Sequence, residues 1–142
     1  MIRTIDCLTK YGTPTAKSKW LNVYEIPSVI QIPHLPNRIY CNVDFIEPYK
    51  NALKNLIDAG CASEIKTFDG CFNIRKARGT SIWSLHSWAV AIDLNAFENQ
   101  MFTKGKLSKK FVDCWKKAGF DWGGDWTKRT DPMHFQLSSI DQ

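Results

Sequence analysis

No segment of this 142-residue chain stays apolar for the roughly 18 to 20 residues that a membrane-spanning helix needs. The amino terminus, MIRTIDCLTKYGTPTAKSK, also lacks the apolar run of a secretory signal. The expectation is a product that stays in the cytoplasm until something else releases it. CxxC pairs are absent, and the five cysteines, Cys7, Cys41, Cys61, Cys71 and Cys114, form an odd set. That argues against a thiolate zinc site and against a disulfide framework, and leaves reduced, structural thiols. Internal repeats, low-complexity tracts and nucleic-acid-binding motifs are missing as well.

What is present has the size of one domain spanning 1–142, long enough for a single core and therefore for one active site. The formal net charge of +5 suits an anionic polymer, though an ordinary solvated face would carry the same charge.

The first 45 residues hold Pro14, Pro27, Pro33 and Pro36, too closely spaced for long regular elements, so loops and short strands are expected there. EPYKNALKNLIDAG places Tyr49, Leu53, Leu56 and Ile57 on one face of a helix, with Pro48 near its start and Gly60 past its end. Between Ala62 and Arg78, the Asp69-Gly70 dipeptide predicts a hairpin turn. WAVAIDLN reads as a strand. Ser108 caps a second helix that runs to Gly119, GFDWGGDW is a loop, and MHFQL is a last short strand. This order predicts an α+β fold: a small antiparallel sheet with helices packed on one side.

On the first strand Val90, Ile92 and Leu94 face the core, while Ala89, Ala91 and Asp93 leave room on the other face for a polar group. On the last strand Met133, Phe135 and Leu137 face the core, and His134 and Gln136 share the opposite side. If the strands are neighbours, His134 emerges beside Asp93, and a loop can bring His86 to the same place. Two imidazoles and a carboxylate form a standard catalytic metal set, because three protein ligands leave one position open. Asp131 is then placed as a general base, and Arg75 or Arg78 as the positive charge that an amide-hydrolysing site needs. Each residue alone has a plainer reading: a hydrogen-bonded histidine, a turn aspartate, solvated arginines, core tryptophans. His34, within PHLPN, is a loop residue.

Together the pieces form a pattern. SLHSWAVAID resembles the SxHxxGxAxD signature of the D-alanyl-D-alanine carboxypeptidase and phage L-alanyl-D-glutamate endopeptidase family of zinc peptidases, and DPMHF resembles its second signature. Ser84, His86, Ala91 and Asp93 match the first motif, His134 the third ligand, and Asp131 the acidic base. FDGCFNIRKARG looks like the segment that carries a substrate-binding arginine, with Arg75 the first choice and Arg78 the second, and WGGDW is similar to the family too. The resemblance covers 69–137. It departs at Ala89, where the family usually has glycine, and in an aspartate base where some branches have glutamate.

The resemblance implies a hedgehog/DD-peptidase-like fold with one Zn2+ per chain, held by His86, Asp93 and His134. It implies hydrolysis of peptidoglycan stem peptides, as a phage endolysin-type L-Ala-D-Glu endopeptidase or a D,D-/L,D-carboxypeptidase released by a holin. Arg78, Ser84, Trp88 and Trp126 are the further substrate-binding candidates. The expected partner is a stem peptide, with neither nucleic acid nor membrane, and the protein is expected to be a monomer. The rival expectation is a non-catalytic metal-binding module of the same fold that binds cell wall.

Overall fold

A computed structural model describes residues 1–141. The elements follow in the order α1 (Thr4–Tyr11), β1 (Leu21–Glu25), β2 (Arg38–Asn42), α2 (Val43–Ala59), β3 (Ala91–Asp93), α3 (Lys109–Lys117), β4 (Phe120–Trp122) and β5 (His134–Leu137), an α+β arrangement. Strands β1 and β2 form one antiparallel pair, and the second sheet is antiparallel in the order β3-β5-β4. The strand that carries His134 is thus the central one.

The face of this sheet that bears Ile92, Phe135, Leu137 and Phe120 is packed by α2 and α3. Trp115 stacks on Phe135 with ring centroids 5.0 Å apart and meets Phe120 edge-on at the same distance, while Phe45 of α2 meets Phe120 at 5.5 Å. Aromatic area of this kind supplies much of the core's burial energy, at about 25 cal/mol per Å² removed from water. The opposite face bears Asp93, His134 and Gln136. There the chain start lies over the sheet, with Gln136 Nε2 donating to the Ile2 carbonyl. Two helices therefore cover one face, as expected, but α1 stands with the polar side.

Several local expectations change. Helix α2 begins four residues before Glu47, capped by Asn42, whose Oδ1 accepts from Asp44 N. Pro48 lies inside the helix, and Ile57 is 39% exposed while Tyr49, Leu53 and Leu56 are buried with Phe45 and Ala52. The cap explains the longer helix: an asparagine followed by Val-Asp-Phe satisfies the first amides before the proline is reached. Helix α1 was not legible at all. The expected hairpin at Asp69-Gly70 does not form. Asp69 N donates to the Asp93 carbonyl and Asp93 N to the Gly70 carbonyl, both at 2.9 Å, so this segment pairs with the free edge of β3 instead of folding on itself. The chain reverses later, at Arg78-Gly79, where Lys76 bridges Trp83 and Gly79 takes φ 74°. The strand expected over WAVAIDLN shrinks to Ala91–Asp93, because Leu85–Trp88 forms a 3-10 turn. GFDWGGDW is not all loop, since β4 lies within it.

Candidate metal centre

The 3-10 turn Leu85–Trp88 begins at Ser84, whose Oγ accepts from His86 N at 3.3 Å. It ends at Ala89 in the left-handed region, φ 56° and ψ 40°. Its outer side is fixed by Asn42, whose Nδ2 donates to the Trp88 carbonyl at 3.1 Å. This turn swings His86 across the end of β3. In the sheet Asp93 and His134 are direct cross-strand partners. The three side chains converge: Asp93 Oδ2 lies 3.2 Å from His86 Nε2, and Asp93 Oδ1 lies 3.3 Å from His134 Nδ1. One ligand atom from each falls within 4.8 Å of the others, so together they could hold a metal ion.

The ring nitrogens away from this meeting point are already committed. His86 Nδ1 is 2.8 Å from the Cys71 carbonyl, an acceptor, so Nδ1 carries the proton and Nε2 presents a lone pair. His134 Nε2 is 2.9 Å from Gln136 Oε1 and donates to it, which leaves Nδ1 bare. Two imidazole lone pairs thus face one carboxylate at a site where His86 is 3% and His134 6% exposed. Such an arrangement repels itself unless a cation stands between the groups. His86 Nε2 and Asp93 Oδ1 are, accordingly, buried without a hydrogen-bond partner. The donor set, two nitrogens and one oxygen oriented from behind by hydrogen bonds, fits a divalent ion with a further position open.

The electrostatics show the same demand for positive charge between the groups, which protonation of the His134 ring meets where no metal ion does. Burial works to raise the Asp93 carboxyl, but the His134 and His86 rings outweigh it and hold the group well below the usual carboxylate range. Burial works to lower the His134 ring, and Asp93 more than reverses this, so its pKa stands above the ordinary histidine value. Asp131 behaves differently: burial lifts its carboxyl above the ordinary value, with the charges of His134 and Arg75 opposing. Its Oδ1 is buried and has no hydrogen-bond partner. Its backbone is pinned, Asp131 N donating to the Gly123 carbonyl at 2.9 Å and His134 N to the Asp131 carbonyl at 3.0 Å. A Cβ at Gly123 would run into the Asp131 carbonyl, so the first glycine of WGGDW is required for this close approach.

One cleft contains the cluster, and Arg75, Arg78, Ser84, Trp126 and Asp131 line it. Trp126 lies against His134 with ring centroids 5.3 Å apart. Arg75 has an exposed side chain on a fixed backbone: Ser87 Oγ accepts from Arg75 N and donates to its carbonyl. Ser84 acts chiefly as the cap of the turn. Trp88 is a correction. It is 3% exposed, and its Nε1 donates to the Gly12 carbonyl at 2.8 Å, so it belongs to the core beside α1 and does not reach the cleft. Ala89 is another: its methyl group packs in the core at the turn's end and is not above the sheet beside Asp93 and His134. Met133 is half-buried and lines the cleft instead of facing the core.

Sequence reasoning missed three participants. Gln136 could have been found, because it shares the face of His134 two residues on. The Cys71 carbonyl left no signal, since a backbone group carries none. Arg129 also lines the cleft and donates through Nη2 to the Arg78 carbonyl, and nothing local in TKRTDP announces it.

A family model described as D-alanyl-D-alanine carboxypeptidase matches residues 77–137. The matched span contains His86, Asp93, Asp131 and His134 and begins just after Arg75. No solved structure matches the chain.

Proposed function

From the match of 77–137 to the D-alanyl-D-alanine carboxypeptidase family, we propose that this chain is a zinc-dependent peptidase that hydrolyses amide bonds in peptidoglycan stem peptides. The observation that carries the reading is the convergence of His86 Nε2 and His134 Nδ1 on Asp93, with each ring fixed by a hydrogen bond from behind. Zinc held by His86 Nε2, Asp93 and His134 Nδ1 would supply Lewis acidity to the scissile carbonyl and to a water at the open position.

Asp131 accepts the proton of the attacking water and returns it to the leaving amine. Burial raises its pKa above that of a solvated aspartate, which makes it the stronger base. Arg75, whose charge is felt at Asp131, binds a carboxylate of the substrate from the cleft wall. Trp126 and Met133 shield the reacting atoms from bulk water. An aspartate at the position of the base supports a cut between L-Ala and D-Glu, and release from the cytoplasm would bring the protein to the wall.

The test is digestion of purified peptidoglycan by the zinc-loaded protein, with the new termini identified by mass spectrometry. New amino termini at D-Glu are expected. An intact wall after incubation with protein that carries one zinc per chain would refute the reading.

A further inference from the structure

Away from the metal cluster, two buried thiols meet without any part in the chemistry above. Cys61, in the turn after α2, and Cys114, within α3, bring their sulfur atoms to 3.8 Å. They are 5% and 6% exposed. The segments that carry them are tied together around this point. Asn55 Nδ2 donates to the Cys114 carbonyl at 3.0 Å, Cys114 Sγ to the Asn55 carbonyl at 3.5 Å, and Lys110 Nζ to the Ala59 carbonyl at 3.4 Å. The sulfurs therefore approach within a fixed frame. A disulfide bond of about 2.05 Å asks them to close by less than about 2 Å, within the reach of small side-chain rotations. Among the described residues this is the one sulfur–sulfur contact at hydrogen-bonding distance; Cys71, by contrast, points its Sγ at the Ala89 carbonyl.

We propose that Cys61 and Cys114 form a reversible disulfide when the protein meets a disulfide oxidant of the glutathione type, locking α2 to α3 behind the sheet. One protein thiolate attacks oxidised glutathione and releases the first glutathione; the second protein thiolate then attacks the mixed disulfide and releases the other. Two protein S–H bonds and the glutathione S–S bond break, and one protein S–S bond and two glutathione S–H bonds form. Two electrons and two protons pass from the protein to glutathione. Burial holds the Cys61 thiol up at about 11, so the reaction is slow at neutral pH and quickens as pH rises.

The partners are 53 positions apart, and the loop they close contains both His86 and Asp93. Closing a loop of that length removes enough freedom from the unfolded chain to raise the thermal midpoint by on the order of 10 °C. The bond lies on the helical side of the sheet, opposite the cleft, so zinc content is the same in both redox states.

The experiment incubates the intact protein with oxidised glutathione at about pH 9, where thiolates begin to form, and digests it with trypsin without reduction. Peptides 55–66 and 111–116 should appear joined, lighter by two hydrogen atoms than their sum. Reductant should separate them. The midpoint should rise by on the order of 10 °C in the parent and not in Cys61→Ser or Cys114→Ser. Free thiols at both positions, glutathione adducts that never resolve, or bonds that pair Cys7, Cys41 or Cys71 instead would overturn the proposal. A joined pair with an unchanged midpoint would overturn the lock.

Discussion

Single side chains carry the chemistry by what their unused atoms are prevented from doing. Asp131 keeps a buried oxygen free of hydrogen bonds while its backbone is held on both sides. Asp131→Asn keeps the shape and removes the proposed proton acceptor. It should retain one zinc per chain by elemental analysis and lower kcat by about 10²- to 10⁴-fold on stem peptide. Gln136 makes the complementary case, since its Oε1 accepts from His134 Nε2 and orients the ring. Gln136→Leu should weaken zinc by roughly 10- to 100-fold in a competition titration with a chelator, while the other ligands stay in place. An unchanged affinity would mean that the His134 proton is fixed by something else.

Among the elements, the short ones position the site. The 3-10 turn that carries His86 ends with an alanine in the left-handed region, a conformation that costs an L-residue about 1 to 2 kcal/mol. Ala89→Gly removes that strain and loses one buried methyl group, worth about 0.8 kcal/mol. Chemical denaturation should therefore show a gain of up to about 1 kcal/mol, with zinc content unchanged. The turn is anchored to the start of α2 by Asn42, which caps the helix and holds the Trp88 carbonyl at once. Asn42→Ala should cost about 1 to 2 kcal/mol for the lost cap. Because the freed carbonyl belongs to the turn, hydrogen exchange at Leu85–Trp88 should accelerate together with that at Asp44.

At the scale of the whole molecule, buried thiols shape the response to pH. Burial lifts Cys7 and Cys41 from 9.0 to about 12. A raised folded-state pKa means stability that is complete below the unfolded value and is lost as pH climbs toward the folded one, since the unfolded thiols ionise first. In reductant, the unfolding free energy from urea titrations should hold up to about pH 8 and then fall, by about 2 kcal/mol between pH 9 and pH 10 from these two groups. A flat profile there would show that both thiols are solvated. Much of the architecture was legible in the chain. The helix over Tyr49, Leu53 and Leu56, the Ser108 cap and the alternation in MHFQL all follow from periodicity and local hydrogen bonding, which act over a few residues. The shared face of Asp93 and His134 was legible too, because strand alternation alone puts each on its strand's polar side. What the sequence could not decide was where backbone edges find partners. Asp69-Gly70 has the residues of a turn, yet the free edge of β3 offered it two hydrogen bonds, and a long-range pairing overrode a local preference. Trp88 went to the core and not to the cleft for the same reason, since a tryptophan takes the apolar slot and the carbonyl acceptor that the fold provides, here Gly12. Residue type and short-range spacing thus pointed to the candidate site, while the hydrogen bonds that turn the His86 and His134 rings toward Asp93 came only from groups that the tertiary fold placed behind the rings.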